Sequence, residues 1–388
     1  MPEVDRCSRC IMPGQVVPLN EDHVCSFCVH DTPSLYYGED ALRQVFDRHK
    51  AQSRAQNRPY DCLLLLSGGK DSIYALYKLV KDFDMNVLAY SYYTAFVDEQ
   101  APLNVQNAVE TLGVDLLINR HDEAQKRYLR HNIAKFATAD ISTSKGKASL
   151  AAVSHLLCVG CGDGYRKSAY QVAKKHGIQL MIDGGGNPVA ANLNIFLNPA
   201  SKTRYQELVA KPLMEVCVNP VFRNVFYYKN ILRHMPILNP DIVLRSLANK
   251  TGIQLSTIYE TIKKIQGRGG IEELGLYNYV AWDERVMVDT IERELGWRRA
   301  AGRSTTTRFD CKVHILLDHI RKQTLGVAEK EVLYSNMIRR EMLTRDEALQ
   351  RIETENREEE AIIDDVVQEI LGMIGASDKF EAIQRLYA

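Results

Sequence analysis

The hexapeptide Ser67-Gly68-Gly69-Lys70-Asp71-Ser72 sets two glycines, two hydroxyls, an ammonium and a carboxylate directly after the run Leu63 to Leu66. Glycines let a backbone take positive φ angles and turn its N–H groups toward an anion. A helix that starts at the same place adds the positive end of its dipole. The leucine run reads as a core strand, and Ile73, Leu76, Tyr77 and Leu79 recur at helical spacing, so the hexapeptide joins a strand to a helix N-terminus. Such a loop suits phosphate. The two commonest phosphate loops, G-x-x-x-x-G-K-[ST] and G-x-G-x-x-G, do not fit it. Lys70 is a candidate for neutralising phosphate charge, with a solvated residue at a helix start as the plainer reading.

Cysteines form the other chemical set. Cys7-x-x-Cys10 and Cys25-x-x-Cys28 are separated by 14 residues, the spacing of two knuckles that close a tetrahedral four-thiolate site. A module this short has little core of its own, so a structural Zn²⁺ is the expected occupant; an iron–sulfur cluster or a redox pair is the alternative. Cys158-x-x-Cys161 stands just before an expected helix at 164–176, and Cys217 follows in MEVCVNPVFRN. The 158/161 pair reads as cluster ligands, as a second zinc knuckle, or as a nucleophile and resolving thiol whose pKa a helix N-terminus lowers. Cys217 reads either as a third ligand or as a small buried apolar residue. Cys62 and Cys311 are assigned to packing.

All six positions of Ser67 to Ser72 resemble the SGGxDS pyrophosphate loop of the PP-loop (N-type) ATP pyrophosphatases, with Lys70 at the variable place. The resemblance implies that Ser67, Gly68, Gly69 and Ser72 hold ATP phosphates and that Asp71 helps to place Mg²⁺, a cation suited to carboxylate and phosphate oxygens. It also implies adenylation: a substrate oxygen attacks the α-phosphate, pyrophosphate leaves, and a nitrogen or sulfur nucleophile then displaces AMP. CSRCIMPGQVVPLNEDHVCSFC ahead of such a loop is similar to the N-acetyl sugar amidotransferase group of this superfamily, as is the later text GWRRAAGRSTTTRFDCKVHILLDHIRKQTLG. For that group the implied substrate is a small molecule such as a nucleotide-linked N-acetyl sugar, with ammonia from a separate glutaminase subunit.

The sequence departs from that group in the CVGC pair and in the glycine run of DGGGNP, residues 183 to 188. Cys158, Cys161 and Cys217 after a PP-loop instead resemble the iron–sulfur-dependent tRNA thiolation enzymes, which implies a [4Fe–4S] cluster on those three and a sulfur donor protein as partner. The expected activity is therefore amidotransfer to an N-acetyl sugar, with thiolation of a nucleobase, tRNA or small carbonyl compound as the alternative. A non-catalytic zinc-bearing nucleotide sensor ranks third.

Positioning these residues requires a scaffold. Strands at 61–66, 86–93, 114–120 and 178–185 alternate with helices near 71–82, 102–112 and 164–176, a pattern that predicts a doubly wound parallel sheet, PP-loop/HUP-like by the resemblance. Asp183, Gly184 and Gly185 then fall at the carboxyl end of a strand, where open α/β sheets bind ligands; a flexible turn is the other reading. After about Val218 the pattern turns helical. The expected division is a four-cysteine zinc-ribbon-like module at 1–35, a PP-loop domain at 36–217 and a mostly helical region at 218–388.

Composition bounds what this scaffold meets. Basic and acidic residues both number 49, which argues against an overall electrostatic nucleic-acid binder. Apolar residues, 45% of the chain, supply a core, while no uncharged apolar run nears the roughly 20 residues that span a bilayer. No membrane partner and a cytoplasmic location are expected, and a homodimer through the helical half is compatible with the pattern. Arg303, Arg308, Lys312 and His314 read as a surface basic turn, with an anionic substrate as their other possible partner.

Overall fold

The computed structural model describes residues 5–29, 36–139, 141–143, 150, 156–184 and 270–387. Five parallel strands, β1 (Cys62–Leu65), β2 (Val87–Tyr93), β3 (Asp115–Arg120), β4 (Leu180–Asp183) and β5 (Glu272–Gly275), form one sheet in the order β3-β2-β1-β4-β5. In register, Leu63 lies between Leu88 and Met181, and Leu64 between Ala89 and Ile182. Because strand side chains alternate between faces, β1 serves two cores. Cys62, Leu64 and Leu66 join Ala89, Leu180 and Ile182 on one face, while Leu63 and Leu65 join Leu88, Tyr90, Met181 and Ala173 on the other. A strand buried on both faces needs an unbroken apolar run, which explains the four leucines. Burying each contributes about 1.5–3 kcal/mol.

Helices α2 (Glu39–Ala55), α3 (Lys70–Tyr77) and α4 (Gln100–Leu112) flank the sheet with α5 (Asp122–Phe136) and α6 (Leu156–Lys175); a four-residue turn, α1 (Ser26–Val29), ends the cysteine module. The helix expected at 71–82 is α3 followed by a wider π turn at Lys78–Asp82. α6 starts earlier than expected. Cys158 and Cys161 lie within its first two turns, not ahead of it. At Gly164 a Cβ would stand 2.7 Å from the Tyr92 hydroxyl, so a larger residue here would push that ring aside.

The remaining described helices are α7 (Glu284–Leu295), α8 (Val313–Leu325), α9 (Glu329–Arg339), α10 (Arg345–Glu360), α11 (Ile363–Met373) and α12 (Phe380–Gln384). Together they bear out a helical C-terminal region. One strand interrupts it. β5 pairs with β4 along Leu180↔Glu272 to Asp183↔Gly275, in a stretch where no strand was expected. Its sequence, EELG, buries only Leu274, because an edge strand needs apolar residues only where another element covers it. Tyr277, Trp282, Met287 and Ile291 enter the same core as the β1 leucines, so this segment is packed into the sheet's own interior.

Candidate phosphate-binding loop and metal site

The strand order reverses between β1 and β4: the chain leaves β1 toward β2 and β3, then returns to lay β4 and β5 on the opposite side. The crevice at the carboxyl ends of those two strands is where open α/β sheets take ligands. Ser67 to Ser72 follows β1 there, and Asp183 and Gly184 end β4 beside it. A Cβ on Gly184 would lie 3.4 Å from the Asp71 Cβ, in ordinary contact. Eight of the expected loop residues, Ser67, Gly68, Gly69, Lys70, Asp71, Ser72, Asp183 and Gly184, are thus neighbours; Gly185 lies outside the described residues.

Within the loop, Gly68 has φ +92°, and a Cβ there would meet the Ala101 carbonyl oxygen at 2.3 Å. The Ser72 hydroxyl donates to the Gly69 carbonyl at 3.0 Å and accepts from the Ser67 N–H at 3.2 Å. Gly69 is the N-cap of α3 and provides no side-chain cap, so the first N–H groups of α3 are left for another acceptor. This chemistry fits an anion.

Lys70 is 1% exposed. Its ammonium lies 3.1 Å from Asp71 Oδ2 and 5.3 Å from the centroid of the Trp282 ring. The lysine is therefore a buried, paired charge, not a solvated one. Behind it stands Glu284 at the start of α7, accepting from Arg351 at 2.6 Å and from the Thr306 hydroxyl at 2.5 Å. Burial pushes the Glu284 carboxyl up, but Lys70, Arg351 and Thr306 outweigh it and hold the group below its ordinary value.

Sequence reasoning did not find the groups that grip this loop. Trp297 and Asn104 donate to the Gly68 carbonyl at 3.0 and 3.3 Å, Tyr277 donates to the Asp71 carbonyl at 2.6 Å, and the Trp282 indole donates to Asp71 Oδ1 at 2.6 Å. The chain has two tryptophans, and both bond to the hexapeptide. Their rarity was the one signal available, and it does not say what they touch.

Next to β4, a cavity of about 300 Å³ is lined by Leu65, Met181, Asp183, Glu273 and Asn278, with Arg166 bridging Glu273 at 2.9 Å and Asp183 at 3.3 Å. Past β2, Tyr92 stacks on His121 with centroids 4.8 Å apart. Cys161 is half-buried on this side; burial raises the Tyr92 phenol, the hydrogen bond from Gln125 opposes it, and a charge on Cys161 adds to the rise. Of Cys158 only the backbone is described, and Cys217 lies outside the described residues.

Cys7, Cys10, Cys25 and Cys28 do converge, with all four sulfurs within 4.8 Å of one another. The pairs Cys7–Cys28 and Cys10–Cys25 are 3.9 and 3.7 Å apart. A tetrahedron with metal–sulfur bonds of about 2.3 Å has edges of about 3.8 Å, so the four sulfurs suit a single ion. A disulfide would need about 2.05 Å. Hydrogen bonds from Cys25 and then Cys28 hold the Cys10 thiol well below its ordinary value, whereas the hydrogen bond to Cys10 pushes Cys28 up to about 12. Four thiolates this close repel one another, and a cation among them lets all four ionise. The module sits on α9 and α10. Arg345 donates to the Cys10 carbonyl at 3.1 Å, Arg339 approaches Cys28 Sγ at 3.9 Å, and Arg6 pairs with Glu331 at 2.7 Å.

Of the four residues in the expected basic turn, Arg308 keeps a side chain more than half exposed, 3.9 Å from Glu329, while the other three are largely buried against acidic groups. Lys312 pairs with Glu369 at 2.7 Å, and Arg303 is held 3.5 Å from Glu359 with a side chain 6% exposed. His314 faces Glu329 at 3.1 Å, and with Asp318 these residues form a second close group of metal-ligating types. Arg321 already lies 2.8 Å from Glu329 and 3.4 Å from Asp318, supplying the positive charge a metal would bring.

No family model matches the sequence, and a search of curated proteins found no match. Among solved structures, NMN synthetase from Francisella tularensis is similar over 67% of this chain and 94% of its own, with 13% identity and a TM-score of 0.25. So remote a likeness says nothing of the site's chemistry. No helix among the described residues is long and apolar enough to cross a membrane.

Proposed function

We propose that the protein is an ATP-dependent adenylating enzyme of the PP-loop type. The observation that carries this reading is the hexapeptide Ser67 to Ser72, seated after β1 at the point where the strand order reverses, with Gly68 at positive φ and the start of α3 uncapped. In this reading the N–H groups of the loop and the Ser67 and Ser72 hydroxyls bind the ATP phosphates and align the α-phosphorus for attack by a substrate oxygen. Pyrophosphate leaves, and AMP is displaced in a second step. Asp71 would hold Mg²⁺, which supplies charge neutralisation at the phosphates. Lys70, paired with Asp71 at 3.1 Å, adds positive charge beside the loop.

The favoured second step is replacement of an acetamido oxygen by ammonia from a glutaminase partner, in keeping with the resemblance of the cysteine module and the GWRRAAGRSTTTR text to the sugar amidotransferases. Zn²⁺ is the proposed occupant of Cys7, Cys10, Cys25 and Cys28. Sulfur transfer is the second reading. It is favoured by the Cys158-x-x-Cys161 spacing, a pair of soft thiol ligands in the first turns of α6. Metal and acid-labile sulfide analysis of anaerobically purified protein separates the two. One zinc without sulfide supports amidotransfer; about four irons with sulfide, lost in Cys158→Ala, would overturn it.

A further inference from the structure

Three groups from one segment, Tyr277, Trp282 and Trp297, bond to the hexapeptide, but two of them reach only backbone carbonyls. Trp282 alone bonds to a side chain with chemistry of its own. Its indole N–H lies 2.6 Å from Asp71 Oδ1, while Lys70 holds Asp71 Oδ2 at 3.1 Å. Both oxygens of the carboxylate are thereby held by donors that are themselves buried: Trp282 is 4% exposed and Lys70 1%. The indole ring also lies over the Lys70 ammonium, so one side chain orients both members of the pair.

A carboxylate held at both oxygens does not have to be ordered when a cation arrives, and a donor on Oδ1 leaves that oxygen a second lone pair. From this arrangement we infer that Trp282 is a positioning residue that presets the Asp71 carboxylate for a divalent cation bound with the nucleotide phosphates. The inference rests on the ATP-binding reading above. It assigns Trp282 a role that packing alone would not give it, namely control over how strongly Mg²⁺ tightens the binding of ATP.

The test is calorimetric titration of the full chain with ATP, once in excess Mg²⁺ and once in EDTA. In the wild type the ratio of the two affinities measures the cation's contribution. Trp282→Phe keeps a ring over Lys70 but removes the N–H. It is expected to lower that ratio about tenfold, while ATP affinity in EDTA stays within about twofold, and to have no further effect on the ratio in an Asp71→Asn background, since coupled residues are non-additive. An unchanged ratio, or equal loss with and without Mg²⁺, overturns the inference. A wild type that binds ATP without regard to Mg²⁺ also overturns it but leaves the loop reading standing; a wild type that binds no ATP removes both. Should Trp282→Phe not fold, Trp297→Phe leaves Trp282 as the single tryptophan, which can be excited selectively over the tyrosines. Its fluorescence must then respond to Mg²⁺ added to the ATP complex, and a silent signal overturns the inference.

Discussion

Replacing Gly68 by alanine tests the loop geometry most sharply. At φ +92° an L-residue is strained whatever its surroundings, by roughly 1–2 kcal/mol. The added Cβ would also stand 2.3 Å from the Ala101 oxygen, 2.8 Å from its carbonyl carbon and 2.9 Å from its Cα, all backbone of α4. No side-chain rotation relieves that contact, so either the hexapeptide or α4 moves; overpacking of this kind costs about 1–3 kcal/mol. Together the loss is about 2–5 kcal/mol, divided between global stability and the bound state. Gly69→Ala is the comparison. Gly69 has φ −71°, and its Cβ would meet only Ser67 Oγ, at 3.4 Å. Urea denaturation and MgATP titration of both variants should show Gly68→Ala losing about 2–5 kcal/mol across the two measurements and Gly69→Ala less than about 1. A Gly68→Ala protein as stable and as tight as the wild type would refute the loop conformation described here.

Removing one sulfur, as in Cys7→Ser, should abolish binding of about one metal ion per chain and lower the thermal midpoint, because Cys7, Cys10 and Cys25 are buried with Val327 and Val332; metal analysis with calorimetry checks this. The pH dependence of stability should carry a contribution from Glu284. Its folded pKa is depressed, so its stabilisation is fully present above its ordinary value of 4.5 and is lost as pH falls below that through the folded value. The difference in urea midpoint between wild type and Glu284→Gln should accordingly shrink on acidification below pH 4.5 and stay constant above it; a gap that widened there would contradict the sign. Gly164→Ala should displace the Tyr92 ring from His121, since the new methyl would lie 2.7 Å from the Tyr92 hydroxyl, and an upfield-shifted His121 ring signal in the wild type should relax in the variant.

How much of this was legible in the sequence depends on how local each feature is. The β1 leucines and the spacing of Ile73 and Leu76 placed the hexapeptide between strand and helix because burial on one or two faces leaves a periodic trace. The two Cys-x-x-Cys pairs declared a tetrahedral site because each knuckle is set by its own few residues. β5 left no trace, since EELG buries a single leucine at a sheet edge. α6 was expected to start later than it does. Lys70 reads either as a phosphate neutraliser or as a solvated residue at a helix start, and only the fold brings Trp282 and Glu284, more than two hundred residues on, close enough to bury it and offset its charge. Arg303 and Lys312 looked basic for the complementary reason: their partners Glu359 and Glu369 come from helices far along the chain.

The central claim is that ATP is cleaved between its α- and β-phosphates on the Ser67 to Ser72 loop. The most direct measurement is the ³¹P spectrum of MgATP turned over by the protein with an N-acetyl sugar and ammonia, beside an Asp71→Asn control. The account predicts AMP and pyrophosphate from the wild type and neither from the control. ADP and orthophosphate would contradict it.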